Sequence, residues 1–118
     1  MILAVLDDLM FMSRIKTAAT QLGAPVTFAR SAAAAMTEMQ KSAPSLVILD
    51  LDNPRTGPLD IVASMKADQA LANVPTVGFV SHVHANVIDA ARHAGVGEVL
   101  ARSVFTQRLA EILTRDAR

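Results

Sequence analysis

Three aspartates stand at the ends of two apolar runs in this chain. Asp7 and Asp8 directly follow the run 2–6, and Asp50 directly follows the run 46–49. In an open α/β sheet, ligand sites lie beyond the carboxyl ends of the strands, where the strand order reverses. If the two runs are neighbouring strands, three carboxylates converge there, and their mutual repulsion favours the binding of a cation. Because carboxylate oxygens are ligands that Mg²⁺ prefers, the pattern predicts a site for a hard cation.

Two further polar residues follow the later apolar runs. Ser81 comes after the run 74–80, and Arg102 comes after the run 97–101. A hydroxyl and a cation beside the carboxylates would hold phosphoryl oxygens, and an aspartate can itself be the nucleophile that forms an aspartyl phosphate. These residues together predict a phosphoryl-accepting site. The alternative interpretations are that Ser81 is the N-cap of the next helix and that Arg102 is a solvated cation at a strand end.

The apolar runs alternate with amphipathic helical patterns along the whole chain. Five strands and five helices joined by short loops indicate a parallel sheet covered by helices on both faces. The first and third runs are the most uniformly apolar, so we expect them at the centre of the sheet. This predicts a flavodoxin-like (βα)5 three-layer sandwich with strand order 2-1-3-4-5. The predicted strands are 2–6, 25–28, 45–49, 74–80 and 97–101, and the predicted helices cover 11–22, 32–41, 58–70, 84–94 and 104–114.

The composition predicts one globular domain over residues 1–118. Hydrophobic residues make up 52% of the chain and charged residues 19%, which is enough apolar material for a packed core. The formal net charge of 0 argues against direct binding to nucleic acid or to a membrane surface. No apolar run approaches the ~20 residues of a membrane span, and the first run lacks the basic flank of a signal peptide. There is no cysteine for a disulfide framework. We therefore expect a cytoplasmic location.

Four segments occur in the order and at the intervals typical of one family. They are the acidic pair Asp7-Asp8, the segment from Leu46 through Asp50 to Pro54, the segment from Val74 to Ser81, and the run from Gly95 to Arg102. Each segment alone is a weak signal, whereas all four in order are a strong one. In these segments the chain resembles the response-regulator receiver domains, including the chemotaxis receivers, and the resemblance covers essentially all of it.

The resemblance implies a role for each site residue. It implies that Asp50 is the phosphoacceptor and that Ser81 hydrogen-bonds the phosphoryl group. Arg102 would take the place of the lysine that the family usually has. The Mg²⁺ ligands that the resemblance implies are the carboxylates of Asp7, Asp8 and Asp50 and the backbone carbonyl of Asp52.

The resemblance also implies partners. A histidine kinase or a phosphotransfer protein would supply the phosphoryl group, and a downstream protein or a fused output domain would receive the signal. Weak homodimerisation is expected through the fourth helix, the fifth strand and the fifth helix. The chain would catalyse its own phosphorylation, but it would not be an enzyme that turns over a small substrate.

Four positions depart from the family pattern. Arg102 replaces a lysine, and its planar fork is not equivalent to a point ammonium. Ser103 stands in place of a proline, Val99 in place of an aromatic switch residue, and Pro58 in place of a glycine. These departures favour the alternative of a pseudo-receiver, which has the same fold but acts as an interaction module without phosphorylation. A flavodoxin-like small-molecule binder or hydrolase would need a glycine-rich phosphate loop or a nucleophile–base pair, and the sequence shows neither.

Overall fold

A five-stranded parallel sheet forms the centre of the structure, a computed structural model that describes residues 1–81 and 85–115. The strands in chain order are β1 (Ile2–Val5), β2 (Val26–Ala29), β3 (Leu46–Asp50), β4 (Thr76–Val80) and β5 (Glu98–Ala101). They pair in parallel in the order β2-β1-β3-β4-β5. The predicted flavodoxin-like order is confirmed, and the strand order reverses between β1 and β3.

Within the described residues, six helices cover the two faces of the sheet. They are α1 (Leu9–Leu22), α2 (Ala32–Lys41), α3 (Pro58–Lys66), α4 (Ala85–Ala94), α5 (Arg102–Gln107) and α6 (Leu109–Thr114), with a short 3₁₀ helix at Pro54–Thr56. Helices α2, α3 and α4 pack on one face, and α1, α5 and α6 pack on the other. Within the described residues, no helix is both long and apolar enough to cross a membrane.

The side chains of β1 explain why this strand is central. Leu3 and Val5 point into the apolar cluster under α2 to α4, whereas Ile2 and Ala4 point into the cluster under α1, α5 and α6. All four residues of β1 and all five residues of β3 are buried. A strand that is buried on both faces has no polar side to alternate, so it appears in the sequence as a continuous apolar run.

Several element boundaries differ from the prediction. Helix α3 ends at Lys66 rather than near residue 70, because the Asp68 carboxylate accepts the N–H of Ala70 at 2.9 Å and closes a turn there. Strand β4 begins at Thr76 rather than at residue 74. The last helix begins directly at Arg102 and is interrupted at Arg108, so it forms two short helices. The predicted start of the fourth helix at residue 84 lies outside the described residues.

Gly78 in β4 makes room for the residue that directly follows Asp50. Leu51 is buried, and its N–H donates to the carbonyl of Phe79 at 2.9 Å. A Cβ placed on Gly78 would lie 2.6 Å from Cδ1 and 2.8 Å from Cγ of Leu51. Carbon atoms in good contact are ~3.5–4.0 Å apart, so even one methyl group at this position would displace Leu51. The glycine therefore helps to hold the chain that leaves Asp50.

We expect Gly78→Ala to lower the free energy of unfolding by about 1–3 kcal/mol, because overpacking forces the neighbouring side chain to move. Urea unfolding of the variant and the wild type measures this. In a Leu51→Ala background the same glycine substitution should cost much less, since the clashing atoms are gone. Equal costs in both backgrounds would show that Leu51 is not the reason for the glycine.

Candidate functional site

The ends of β1 and β3 bring the predicted carboxylates to one edge of the sheet. The register pairs Val5 with Leu49, so Asp7 and Asp8 on one chain segment leave the sheet beside Asp50 on the other. This is the point at which the strand order reverses, where open α/β sheets form their ligand crevices. The structure therefore brings the three predicted acidic residues to the predicted place.

Asp8 has two tasks, one for each carboxylate oxygen. It is the N-cap of α1, and its Oδ1 accepts the backbone N–H groups of Met10 and Phe11, each at 3.1 Å. Its Oδ2 lies 3.5 Å from a guanidinium nitrogen of Arg102. The hydrogen bond from Phe11 is the main cause that lowers the pKa of Asp8; burial opposes it, and the charge of Arg102 adds to it. Asp8 is therefore held in its ionised form.

Asp50 is a buried carboxylate whose side chain is 4% exposed. Its Oδ1 accepts the N–H of Asp52 at 2.9 Å, and its Oδ2 lies 3.8 Å from a guanidinium nitrogen of Arg102. Burial raises the pKa of Asp50 above the usual 3.8, although the N–H of Asp52 and the charge of Arg102 oppose that rise. Its ionised form is therefore less favourable than in water, because this charge has lost most of its hydration.

Arg102 lies between the two carboxylates and against two aromatic rings. Its guanidinium carbon is 4.5 Å from the ring centroid of Phe11 and 5.3 Å from that of Phe79. Its Nε is buried and has no hydrogen-bond partner among residues 1–81 and 85–115. The structure thus places Arg102 within the acidic site rather than in solvent. Ser103 continues α5 with a trans peptide bond, in the position where the family usually has proline.

Asp7 has partners that the sequence pattern did not reveal. Its Oδ1 accepts a hydrogen bond from the side-chain amide of Asn53, and its Oδ2 lies 3.5 Å from a guanidinium nitrogen of Arg55. Both partners belong to the turn after β3, in which no partner of Asp7 was predicted from the sequence. The Arg55 side chain is 82% exposed, so this ion pair contributes little to stability.

Asp52 and Ser81 are joined by a hydrogen bond that was not predicted. The backbone N–H of Ser81 donates to Oδ2 of Asp52 at 2.8 Å, which links the loop after β3 to the loop after β4. From the sequence, only the backbone carbonyl of Asp52 was expected to have a role, as a metal ligand. The alternative reading of Ser81 as an N-cap concerns residues 82–84, which lie outside the described residues. Val99 is half-buried in β5, and Pro58 begins α3.

The donors at this edge fit a hard divalent cation by type, because they are carboxylate and carbonyl oxygens. Their arrangement is different: within the described part of the chain, no group of three acidic, histidine or cysteine side chains is placed to hold a metal ion. The reason is visible in the contacts. Asn53 and Arg55 hold Asp7, and Arg102 lies between Asp8 and Asp50. In this structure arginines neutralise the carboxylates.

The fold and this acidic edge together define a flavodoxin-like α/β domain with a site at its switch point. The sequence model described as the response regulator receiver domain matches residues 2–114, so the chain belongs to the response regulator receiver domains. The resemblance stated from the sequence motifs is confirmed. No curated protein matches the chain in sequence.

Three solved structures illustrate the similarity of fold. A putative response regulator from Chloroflexus aurantiacus J-10-fl is 19% identical, with 99% of this chain and 98% of that chain covered and a TM-score of 0.84. Chemotaxis protein CheY4 from Vibrio cholerae is 18% identical, with coverages of 97% and 95% and a TM-score of 0.84. The Mn²⁺-bound form of response regulator Rcp1 is 19% identical, with coverages of 97% and 91% and a TM-score of 0.80. At these identities, the similarity shows a common fold.

We expect Asp50→Asn to raise the free energy of unfolding at neutral pH by about 1 kcal/mol, because it removes a buried charge whose pKa is raised. Below the usual carboxyl pKa of 3.8, Asp50 is protonated in the folded and unfolded states, so the variant gains nothing there. The gain in the free energy of unfolding should grow as the pH rises from 3.8 to the higher folded-state pKa of Asp50, and it should level off above that pKa. Urea unfolding at a series of pH values measures it.

Asp8→Asn provides the control with the opposite sign. The folded-state pKa of Asp8 is lowered, so its stabilising effect is present above the unfolded value and is lost as the pH falls through the folded one. Asparagine caps a helix about as well as aspartate. The variant should therefore lower stability at neutral pH by about 0.3–1 kcal/mol, the usual effect of losing a negative charge at a helix N-terminus. A loss of stability in both variants would contradict the assignment of Asp50 as the strained carboxylate.

Proposed function

We propose that this chain is a phosphoacceptor receiver domain in a histidine kinase–response regulator phosphorelay and takes the phosphoryl group on Asp50. The observation that supports this best is a buried carboxylate of raised pKa at the switch point, facing a guanidinium and next to a second carboxylate. A fold has no need of such an arrangement, and it costs stability. Membership of the receiver family supports phosphorelay signalling as its purpose.

The two oxygens of Asp50 have different partners, and this difference supports one of them as the attacking atom. Oδ1 accepts the N–H of Asp52, whereas Oδ2 faces Arg102. We assign Oδ2 as the nucleophile. A lone pair on Oδ2 forms the new O–P bond, the N–P bond of a phosphohistidine breaks, and its electron pair returns to the imidazole nitrogen. The guanidinium of Arg102 supplies donors and positive charge for the phosphoryl oxygens.

The proposed cofactor is Mg²⁺. The residues that would hold it are Asp7, Asp8 and Asp50 through their carboxylates and Asp52 through its backbone carbonyl. A bound divalent cation would neutralise phosphoryl oxygens as charge develops on them. The family relationship and the oxygen donors at this edge support this assignment, and a similar structure, that of Rcp1, is described as a Mn²⁺-bound form.

The second candidate function is a pseudo-receiver that binds partners without being phosphorylated. One observation favours it: Arg102 already neutralises the two carboxylates that a metal and a phosphoryl group would use. In that case the chain would act only through its surfaces. The two candidates differ in whether Asp50 can be modified, so one experiment separates them.

The proposed partners are a histidine kinase or phosphotransfer protein upstream and a downstream protein or fused output domain, all meeting in the cytoplasm. The face formed by α4, β5 and α5 is the proposed output surface and the site of a weak homodimer. Val99 lies on β5, and a side chain of this size cannot act as an aromatic switch. The hydrogen bond from Ser81 to Asp52 supports a different route, because it ties the loop before α4 to the loop beside Asp50.

Acetyl phosphate with Mg²⁺ should add one phosphoryl group to the wild-type protein, measured by intact mass. Asp50→Asn should stay unmodified, since the nucleophilic oxygen is gone. Asp89→Asn is the matched control because Asp89 is an exposed aspartate on α4, and this variant should be modified like the wild type. An unmodified wild type at saturating acetyl phosphate would favour the pseudo-receiver, and modification of Asp50→Asn would place the acceptor elsewhere.

Beryllofluoride, a phosphoryl mimic, should change the amide NMR signals of α4 as well as those around Asp50. The physical reason is that a phosphoryl group shifts a conformational equilibrium only through contacts that differ between the two states. The bond between Ser81 and Asp52 is the contact that we propose to differ between the two states. Changes confined to the loops beside Asp50, with none in Ala85–Ala94 or Arg102–Gln107, would contradict transmission through this face.

A further inference from the structure

Aromatic rings of the hydrophobic core support the Arg102 guanidinium, and we call these rings its aromatic anchor. Phe11, Phe79 and Phe105 form a buried cluster, with ring centroids 4.9 Å apart for two of the pairs and 5.9 Å apart for the third. The guanidinium lies against Phe11 and Phe79, both of which attract a cation through the negative faces of their rings. Three packed rings cannot move away easily, so they hold the guanidinium at a defined place.

The position of the guanidinium has a cost that the carboxylates offset together with the rings. Its Nε is buried without a hydrogen-bond partner among the described residues, and losing water without a new partner is unfavourable. The compensation comes from Asp8 and Asp50, whose Oδ2 atoms lie 3.5 and 3.8 Å from the two terminal nitrogens. Arg102 is therefore held in the site by two carboxylates on one side and two rings on the other.

The two carboxylates that face Arg102 are also proposed ligands of the metal ion. Oδ1 of Asp8 accepts two N–H groups at the start of α1, and Oδ1 of Asp50 accepts the N–H of Asp52. Among the described residues, the Oδ2 atoms of Asp8 and Asp50 have no backbone partner, and both face Arg102. The guanidinium of Arg55 also neutralises a carboxylate, that of Asp7, but its side chain is 82% exposed and is easily released.

We propose that Arg102 is a resident cation that competes with the divalent metal for the carboxylates of Asp8 and Asp50, and that its aromatic anchor sets the metal affinity of the site. This inference rests on the proposed function, because it takes the carboxylates to be the metal ligands. Metal binding and release of the guanidinium are then one linked equilibrium, and each weakens the other by the same factor. Strengthening or weakening the aromatic anchor changes metal affinity without touching a ligand.

Mn²⁺ binding, followed by the electron paramagnetic resonance signal of free Mn²⁺, tests the competition in the unphosphorylated protein. Arg102→Met should bind Mn²⁺ about tenfold more tightly than the wild type or better, because the competing cation is gone. Phe11→Leu keeps every charge but removes one ring face, so it should also tighten binding, by about threefold. Arg14→Met removes an exposed positive charge near the same crevice and should change affinity by less than about twofold.

These variants separate competition from simple charge removal. Equal affinities for Arg102→Met and Arg14→Met, or an unchanged Phe11→Leu, would overturn the proposal, and so would weaker binding by Arg102→Met. Circular dichroism melts show whether each variant is folded. If wild type, Arg102→Met and Phe11→Leu all fail to bind Mn²⁺, the competition and the metal assignment are both wrong. If all three bind equally, the metal site stands and only the competition is wrong. Labelling of Asp50 by acetyl phosphate is measured in a separate experiment, so the proposed function is tested independently of the competition.

Discussion

The constraint on which the site depends is the burial of a single carboxylate, that of Asp50. A charge removed from water needs partners, and this one has a backbone N–H from Asp52 on one oxygen and the guanidinium of Arg102 near the other. Neither partner fully replaces the lost hydration, which is why burial still raises the pKa of Asp50. The burial that lowers stability here also raises the pKa of Asp50, and this makes Asp50 chemically different from the exposed aspartates.

The neighbouring elements are arranged around that constraint. Asp8 uses one oxygen to begin α1 and the other to hold Arg102, so the same residue fixes the helix and the cation. Leu51 packs into the space left by Gly78 and keeps the chain after Asp50 in place. In each case, neighbouring atoms both stabilise the local structure and hold a residue of the site in place. A substitution there changes both, so stability and phosphoryl chemistry have to be measured together.

Much of this arrangement could be predicted from the sequence, and the contacts that could not be predicted share one physical cause. The continuous apolar runs of β1 and β3 predicted their central position, and that position alone brought Asp7, Asp8 and Asp50 to one edge. The pairing of Asp7 with Asn53 and Arg55, and that of Ser81 with Asp52, was not predicted. These contacts join residues distant in the chain through side-chain directions that periodicity does not encode. The roles of Phe11 and Arg102 and the course of the last helix were also predicted only in part.

Phe11 appeared in the sequence as one apolar position on the buried face of a helix, with nothing to show that it also supports a cation. Arg102 was expected at the site, but the sequence did not show that it lies between Asp8 and Asp50. The interruption of the last helix at Arg108 was likewise missed, since the apolar spacing of Leu109, Ile112 and Leu113 continues the pattern set before it. Helical period reports which residues face the core and says little about where the backbone turns.

The phenylalanine cluster has a practical consequence for spectroscopy. The chain contains four phenylalanines and neither tyrosine nor tryptophan, and three of the four lie together beneath Arg102. The fourth, Phe28, lies on β2 and packs at the edge of the same apolar layer. Near-ultraviolet circular dichroism bands of this protein therefore come largely from a ring cluster in which Phe11 and Phe79 contact Arg102. The molecule contains its own optical reporter, one that needs no label and is not masked by stronger chromophores elsewhere.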